Sequence, residues 1–291
     1  MKSERAPGRC DKTSGRLLSA AAARLRARGV EEADLNAQWL LADALGLERL
    51  ALLADPSVPV SAAARRRFED TLVDKESGRP LAYILGWQSF RGLKIKVDGR
   101  VLVPRPETEE LAGFAADYLR SVSGLTCAMD YGAGSGAIGL WLAHEFPALE
   151  VTAVEKSSRA IACARENAAA LELTSRIEFI KAETLQGMRG RFNIIVSNPP
   201  YIPTRVIGGL SPEVLSEPRM ALDGGGDGLG IARMLVALAP GRLKKGGALL
   251  LELGGGQAKN LLALMPDKIW TGKKLFKDLN GVERFMFGIK I

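Results

Sequence analysis

The sequence predicts an α/β protein in which a mostly parallel sheet, covered by helices on both faces, follows a small α-helical bundle. Two observations support this fold class. From residue 125 onward, short apolar β-branched runs alternate with longer segments of helical periodicity. Residues 13–78 are instead rich in Ala, Leu and Arg and have helical periodicity throughout. Alternating strands and helices form a parallel sheet because each helix crosses back over the sheet between strands.

The composition is that of a soluble globular protein of 291 residues, with 47% apolar and 25% charged residues, which is long enough for two domains. No apolar run reaches the roughly 18–20 residues of a membrane span, and residues 1–16 lack the apolar stretch of a secretory signal. We therefore expect a cytoplasmic protein without a membrane partner. The net charge of +7 is equally compatible with an acidic partner, such as RNA or a ribosome-associated protein, and with a generic basic surface.

Metal-binding side chains are scarce in this sequence. His144 is the single histidine, and the three cysteines, Cys10, Cys127 and Cys163, have no metal-ligand spacing. Zinc sites are built from clustered cysteines and histidines, so the sequence argues against one. We expect no metal cofactor.

The N-terminal part is predicted to begin with a disordered segment, residues 1–12, followed by a helical bundle over residues 13–78. Thr13 or Ser14 is placed to cap the first helix and Ser61 the third, and glycines follow the predicted helix ends. The predicted helices cover 13–29, 31–46 and 61–78. The bundle carries no recognisable chemistry, so its expected role is binding or packing.

Residues 79–108 are predicted to form a linker that contains a β-hairpin. Apolar and polar residues alternate on both sides of Asp98-Gly99, a dipeptide typical of hairpin turns. The linker ends in the run Pro104 to Glu110, where Thr108 or a neighbour is placed to cap the next helix. The remaining chain, residues 109–291, is assigned to the sheet domain.

The strands and helices of the sheet domain are predicted from their periodicity and flanking turn residues. The predicted strands are 126–129, 150–154, 177–180, 194–197, 248–253, 268–270 and 284–291, and the predicted helices are 137–146, 157–170 and 229–239. Asn280-Gly281 precedes the last strand, which is compatible with an antiparallel final strand.

A glycine-rich turn follows the first strand of this domain and opens a helix. Its glycines are Gly132, Gly134 and Gly136, a spacing that differs from the G-x-G-x-x-G of dinucleotide-binding enzymes. Asp130 stands directly before the turn, where a carboxylate would repel a pyrophosphate but can hold a ligand's ammonium group. This combination favours S-adenosyl-L-methionine over NAD as the ligand, and it disfavours an NAD oxidoreductase.

Acidic residues also end the next two predicted strands. The carboxyl ends of parallel strands share one edge of the sheet and are where such folds bind ligands. Glu155 is placed to accept hydrogen bonds from ribose hydroxyls, and Glu183 to reach an adenine amino group. The alternative for Glu155 is an ordinary surface glutamate. The candidate cofactor-binding residues are Asp130, Gly132, Ala133, Gly134, Ser135, Gly136, Glu155, Glu183, Thr184 and Asn198.

The fourth strand is followed by Asn198-Pro199-Pro200-Tyr201. The prolines stiffen the backbone, so the Asn198 side-chain carbonyl and the Pro199 main-chain carbonyl stand at fixed places. Tyr201 adds a flat apolar face. Two acceptors beside an aromatic ring suit a planar –NH2 group. The alternative is a proline-rich turn with no chemical role.

The chain resembles the release-factor glutamine methyltransferases of the HemK/PrmC type over nearly its whole length. The resemblance rests on residues 79–86, 103–109, 130–138, 196–202, 217–218, 221–222 and 226–229. It implies a seven-stranded class I (Rossmann-like) S-adenosylmethionine-dependent methyltransferase domain, preceded by a helical domain that binds the substrate and a hairpin linker. The implied substrate is the glutamine of the Gly-Gly-Gln motif in peptide chain release factors, and the implied product of the donor is S-adenosyl-L-homocysteine.

The resemblance also implies roles for individual residues. The catalytic set is Asn198, Pro199, Pro200 and Tyr201, and the substrate-binding set adds Arg105 and Glu107. A monomer without stable nucleic-acid binding is expected. The sequence departs from the family pattern at Asn193, where an aspartate is usual, and at Ala182-Glu183, where Gly-Asp is usual.

A glutamine amide nitrogen is a poor nucleophile, and the sequence offers no obvious strong base near it. We therefore expect catalysis mainly by positioning, with Asn198 and Pro199 accepting the two amide N–H bonds and Tyr201 packing on the amide plane. Two alternatives remain: an adenine-N6 nucleic-acid methyltransferase, which needs similar acceptor geometry, and a non-catalytic ribosome-associated binding protein.

Overall fold

A computed structural model describes residues 13–122, 124 and 127–291. The predicted disordered segment 1–12 lies outside the described residues. The chain divides into two compact units. The first comprises the chain up to Leu85 together with Ser211–Ser216, and the second comprises Gly86–Leu210 and Glu217–Ile291.

The helices and strands are numbered in chain order. The helices are α1 (Ser14–Ala27), α2 (Ala33–Leu45), α3 (Arg49–Ala54), α4 (Ala62–Glu76), α5 (Leu81–Leu85), α6 (Pro106–Ser121), α7 (Ala137–Glu145), α8 (Ser158–Ala170), α9 (Pro212–Leu215), α10 (Arg219–Leu222), α11 (Gly230–Leu238) and α12 (Ala258–Leu262). The strands are β1 (Trp87–Phe90), β2 (Leu93–Lys96), β3 (Cys127–Tyr131), β4 (Glu150–Glu155), β5 (Ile177–Lys181), β6 (Phe192–Ser197), β7 (Leu243–Glu252), β8 (Trp270–Lys277) and β9 (Glu283–Lys290).

The first unit is helical, as predicted, and α1, α2 and α4 correspond to the three predicted helices. Apolar side chains from these helices form one core, which includes Leu25, Leu40 and Phe68. The Ser61 hydroxyl accepts the N–H of Ala64 at 3.2 Å, which confirms the predicted cap of α4. The predicted hydroxyl cap of α1 is wrong, because Thr13 makes no such bond there.

A short segment from much later in the chain completes this unit. The side chain of Lys75, near the end of α4, is only 2% exposed and forms an ion pair with Glu213 of α9. The Ser216 hydroxyl donates to the main-chain oxygen of Gly78 at 3.4 Å. A buried lysine is costly without a carboxylate partner, so Glu213 is what makes this position tolerable.

The second unit begins with a hairpin, but the predicted turn is wrong. Strands β1 and β2 pair antiparallel around Arg91-Gly92, both of which have positive φ, as two-residue hairpin turns require. Asp98-Gly99 lies after the hairpin. There the Asp98 carboxylate accepts the N–H of Arg100 at 3.0 Å, which makes a local side-chain turn rather than a strand connection.

The seven-stranded sheet has the order β5-β4-β3-β6-β7-β9-β8, which confirms the predicted α/β class. Strands β5, β4, β3, β6 and β7 are parallel, and β9 runs antiparallel to both its neighbours. The predicted penultimate strand at 268–270 instead starts at Trp270 and runs to Lys277. A core cluster that includes Met129, Ile195 and Leu249 packs on the sheet.

The order of the strands in the sheet determines where the site lies. From β3 the chain winds to β4 and β5 on one side, and later to β6 and β7 on the other. Such a reversal of winding direction opens a crevice at the carboxyl ends of the two central strands. In the register, Asp130 of β3 lies opposite Val196 of β6. In the described ranges, no helix is both long and apolar enough to cross a lipid bilayer.

Candidate active site

The glycine-rich turn connects β3 to α7, as predicted. Gly132, Gly134 and Gly136 have φ of 72°, 55° and 82°, a backbone region that side-chain-bearing residues rarely adopt. The N–H of Gly132 donates to the main-chain oxygen of Val154 at 2.8 Å, which holds the turn against β4. The turn therefore leaves its backbone close to whatever occupies the space above the sheet.

A cleft of about 360 Å³ lies at this edge of the sheet. Of the predicted site residues, those that line it are Gly132, Gly134, Glu155, Glu183, Asn198, Pro199 and Pro200. Apolar side chains such as Leu102, Met220 and Ile231 share the lining. The lining does not include the other predicted site residues, which are Asp130, Ala133, Ser135, Gly136, Thr184, Tyr201, Arg105 and Glu107. A mainly apolar cleft with a few polar groups at strand ends is typical of small-molecule sites.

Glu155 is held in a fixed orientation at the end of β4. One carboxylate oxygen, Oε2, accepts the N–H of Gly134 at 3.0 Å, and the other, Oε1, accepts the N–H of Ser157 at 2.7 Å. The carboxylate thus bridges the glycine-rich turn and the start of α8. Each oxygen keeps a further lone pair for a ligand hydroxyl.

Asp130 lies behind the turn and is 1% exposed. Its Oδ2 accepts the N–H of Gly139 at 2.9 Å, while its buried Oδ1 has no partner within the described part of the chain. Burial, with a smaller contribution from the negative charge of Glu155, raises the pKa of Asp130 to about 7, and the hydrogen bond from Gly139 opposes that shift. A cation nearby would offset this cost, because it favours the ionised form.

Glu183 and Thr184 follow β5 but differ in exposure to the cleft. Glu183 lies at its rim, 66% exposed, and pairs with Lys156. Its main-chain oxygen accepts the Tyr131 hydroxyl at 2.7 Å. The Thr184 hydroxyl instead accepts the N–H of Gln186 at 3.3 Å, a contact within its own loop.

Asn198 is oriented by two residues that the sequence analysis did not assign to the site. Its Nδ2 donates to the hydroxyl of Thr108 at 2.9 Å, and that hydroxyl donates to Oε2 of Glu252 at 2.8 Å. Thr108 was predicted as a possible helix cap, but the N-cap of α6 is Arg105. The sequence does contain a signal for Glu252, because it is an acidic residue at the end of the apolar strand β7, which lies beside β6.

Glu252 is almost completely buried, with 1% exposure. Burial raises its pKa to about 7, and the hydrogen bond from Thr108 opposes that shift. The guanidiniums of Arg284 and Arg105 also favour its charged form, but each has a carboxylate partner of its own.

A glycine-rich loop supports the backbone of Pro200 and Tyr201. A Cβ on Gly224 would lie 2.6 Å from the Pro200 oxygen, and one on Gly228 would lie 2.1 Å from the Tyr201 oxygen. Gln257 donates from Nε2 to the same Tyr201 oxygen at 2.9 Å. Burial raises the pKa of the Tyr201 phenol to about 12, so it stays neutral.

Arg105 and Glu107 lie in the loop and first turn that lead into α6. Arg105 donates to the side chain of Glu217 at 2.7 Å, and the Glu217 side chain is 1% exposed. The other Glu217 oxygen accepts the N–H of Val103 at 3.3 Å. Glu217, part of the Glu217-Pro218 motif but not a predicted site residue, therefore anchors this loop.

The departure from the family pattern at Asn193 lies at the opposite end of β6. Asn193 is buried, and its Oδ1 accepts from Nζ of Lys244 at 3.0 Å. Five residues along an extended strand span roughly 16 Å, so Asn193 is remote from Asn198. Across the described ranges, no group of three or more His, Cys, Asp or Glu side chains is arranged to hold a metal ion.

Comparisons with known proteins agree with this architecture. The family model for the PrmC N-terminal domain matches residues 16–86, and that for the methyltransferase small domain matches residues 120–227. The crystal structure of a methyltransferase from Pyrococcus furiosus superposes with a TM-score of 0.51 at 20% identity, covering 69% of this chain and 91% of that one. At that identity the likeness concerns the fold alone.

Two curated relatives are more informative. The release factor glutamine methyltransferase of Deinococcus radiodurans is 41% identical over 270 residues, which are 93% of this chain and 96% of the relative. The protein of the same name from Moorella thermoacetica is 42% identical over 243 residues, which are 83% and 86% of the two chains. With such identity along almost the full length of both proteins, the chain belongs to the release factor glutamine methyltransferase family.

Proposed function

We propose that this protein transfers a methyl group from S-adenosyl-L-methionine to the side-chain amide nitrogen of the glutamine in the Gly-Gly-Gln motif of peptide chain release factors. The observation that carries the proposal is the arrangement at the end of β6. There Asn198, which lines the cleft, donates its N–H to Thr108 and so leaves its carbonyl oxygen for an incoming –NH2 group. The names of the relatives supply the class of substrate.

The residues around the cleft fit the donor. Gly132 and Gly134 let a ligand approach the backbone, and Glu155 carries oriented lone pairs suited to ribose hydroxyls. Glu183 stands at the rim where the adenine amino group is expected. The Oδ1 of Asp130, which has no hydrogen-bond partner among the described residues, is proposed to bind the ammonium group directly or through water. When bound, S-adenosyl-L-methionine supplies a methyl group on a sulfonium centre, with S-adenosyl-L-homocysteine as the product; no metal is required.

The acceptor amide is held by carbonyl oxygens. Asn198 Oδ1 and the Pro199 main-chain oxygen accept its two N–H bonds, which fixes the amide plane and the direction of the nitrogen lone pair. Pro200 keeps the backbone stiff, and Tyr201 packs as an aromatic wall on the acceptor side. Arg105 and Glu107 shape the neighbouring loop. Well-oriented reactions gain as much as ~7–11 kcal/mol from such placement.

The helical unit is proposed to bind the release factor. Its support is the match of residues 16–86 to the PrmC N-terminal domain model. In this proposal the protein acts as a cytoplasmic monomer, and neither nucleic acid nor a membrane is a stable partner. The net charge of +7 assists encounter with an acidic assembly such as the ribosome.

Mass spectrometry tests the function directly. After incubation with a release factor and the donor, the Gly-Gly-Gln peptide should gain the mass of one methylene group. Asn198→Ala should lower turnover by at least about 100-fold, because a misplaced acceptor loses the benefit of orientation. Its donor affinity, measured by calorimetry, should stay within a few-fold of wild type.

Isotope-labelled donor offered separately to DNA and to the release factor distinguishes the alternatives. Label on adenine would favour a nucleic-acid methyltransferase. An unmodified release factor, in the presence of measurable donor binding, would refute the proposed substrate. A protein that fails to bind the donor would instead point to a non-catalytic binding protein.

A further inference from the structure

We propose that Thr108 and Glu252 form a positioning relay that determines which way round the Asn198 carboxamide faces. The inference rests on the proposed function and extends it to two residues outside the cleft lining. Three elements meet here. Thr108 lies in the first turn of α6, Glu252 ends β7, and Asn198 follows β6.

The direction of the hydrogen bonds follows from the donors available. A hydroxyl group carries one proton, and an ionised carboxylate only accepts. The Thr108 proton is therefore committed to Oε2 of Glu252, 2.8 Å away. The Thr108 oxygen is then an acceptor for its other neighbour, and at 2.9 Å it takes an N–H of Asn198.

The hydrogen bond to Thr108 selects which atom of the Asn198 carboxamide faces the substrate. The oxygen and nitrogen of a carboxamide have nearly the same shape, so packing alone discriminates weakly between the two orientations. With the nitrogen held by Thr108, the Asn198 oxygen is the atom left for the substrate. In the flipped orientation an –NH2 group would meet the –NH2 group of the glutamine, and two donors facing each other repel.

The surroundings of Glu252 suit an acceptor dedicated to Thr108. It is 1% exposed, and Thr108 is 5% exposed, so water does not compete freely for their bond. Of the charged groups that face Glu252, Arg284 is paired with Asp278 and Arg105 with Glu217. Glu107 disfavours the ionised form of Glu252, and Glu252 in turn helps to raise the pKa of the Tyr201 phenol.

Protonation of Glu252 would reverse the relay. A neutral carboxyl can donate to the Thr108 oxygen, and the Thr108 proton then points at Asn198 and favours the flipped carboxamide. Since the pKa of Glu252 is raised to about 7, activity should fall as the pH is lowered through neutrality. A hydrogen bond with only a structural role would not make turnover fall as the pH is lowered through neutrality.

Thr108→Val removes the hydroxyl and keeps the side-chain shape. We expect the kcat for release-factor methylation to fall at least about 10-fold, which corresponds to one lost hydrogen bond, with the KM for the donor unchanged. Thr108→Ser should restore most of the rate. Thr152→Val, in β4 and outside the site, is the matched control and should behave as wild type.

Glu252→Ala should reproduce the loss seen in Thr108→Val, because the threonine proton loses its acceptor. Glu252→Gln should restore most of the rate lost in Glu252→Ala, since the glutamine carbonyl accepts the same proton. Its turnover should no longer fall at acidic pH, because the glutamine side chain does not titrate. A Thr108→Val enzyme within twofold of wild type would overturn the relay. Equal losses in the Val and Ser variants would also overturn it, because they would indicate packing rather than the hydroxyl.

The side-chain –NH2 signal of Asn198 in ¹⁵N-labelled protein gives a readout independent of the substrate, assigned by its loss in Asn198→Asp. The signal should shift in Thr108→Val and return in Thr108→Ser. An unchanged signal would refute the relay even if another substrate were the true one. If wild-type protein leaves the release factor unmethylated while the signal behaves as expected, the proposed function fails and the relay stands.

Discussion

Two buried carboxyl groups, those of Asp130 and Glu252, lie at the carboxyl end of the sheet. Burial raises the pKa of each to about 7, far above the value in an unfolded chain. These two groups therefore bind more protons in the folded protein than in the unfolded chain between about pH 4 and pH 7, and their contribution to stability falls as the pH rises through this range. Both groups act against stability at the pH where the site works.

Asp130→Asn should separate the contribution to stability from that to ligand binding. The asparagine oxygen still accepts the N–H of Gly139 but carries no charge. We expect the free energy of unfolding at pH 8 to rise, by up to a few kcal/mol at about 1.4 kcal/mol per pKa unit, and to change little at pH 4. Donor affinity should fall about 10-fold or more, because the ammonium group loses its carboxylate.

Urea unfolding at the two pH values and calorimetry with the donor measure both effects. Thr152→Val again serves as a control outside the site. An Asp130→Asn protein with the same pH dependence of stability as wild type would contradict the buried-acid account. Undiminished donor affinity would show that Asp130 does not serve the ammonium group.

At the scale of elements, the loop between α10 and α11 contains the motif at residues 226–229 and gives it a structural role. Asp227 pairs with Arg233 and accepts the N–H of Leu229 at 3.1 Å, so it fixes the start of α11. Gly224 and Gly228 let the loop pack directly on the Asn198-Pro199-Pro200-Tyr201 backbone. The loop therefore packs against the main-chain oxygens of Pro200 and Tyr201, next to the proposed acceptor groups of Asn198 and Pro199.

Gly228→Ala should disturb this support. Its φ is 80°, and an added Cβ would lie 2.1 Å from the main-chain oxygen of Tyr201, so the backbone must move. We expect at least a 10-fold lower turnover, because small misplacements of reacting groups are costly, and a lower melting temperature. Assays with saturating donor and a melting curve measure the two effects.

Gly226→Ala is the matched control in the same loop. A Cβ at that position would meet nothing within 4 Å, and its φ is not in the left-handed region. It should stay within about twofold of wild type, as surface substitutions usually do. Equal effects of the two substitutions would show that loop flexibility, not contact with Tyr201, is what matters.

At the scale of the whole molecule, the first unit is built from two separated stretches of chain. Residues up to Leu85 and Ser211–Ser216 belong together, and the buried ion pair of Lys75 with Glu213 joins them. The second stretch begins ten residues after Tyr201 in the sequence. Removing the helices would therefore leave Ser211–Ser216 without its packing partners.

Deletion of residues 1–78 should weaken affinity for the release factor at least 10-fold and leave donor affinity within a few-fold of wild type. The reason is that the glycine-rich turn, Glu155 and Asp130 all belong to the second unit. Calorimetry with each ligand, after circular dichroism has verified the fold, measures both affinities. Unchanged release-factor affinity would refute the binding role of the helical unit.

Local patterns in the sequence were sufficient to predict much of the secondary structure of the second unit. The alternation of strands and helices predicted the parallel sheet, and the glycine spacing predicted the tight turn after β3. The hairpin prediction was wrong because Asp98-Gly99 and Arg91-Gly92 are both plausible local turns. The choice between them depends on which strands find partners, a non-local property.

The sequence alone determined the order of elements, the family and the residues at the strand ends, because hydrophobic periodicity and turn chemistry act over a few positions. Only the tertiary structure brought Thr108 and Glu252, 144 residues apart, against Asn198. Only the fold buried Asp130 and Glu252 enough to raise their pKa values. Hydrogen-bond direction and desolvation depend on groups from distant parts of the chain, and these meet only when the sheet and helices pack.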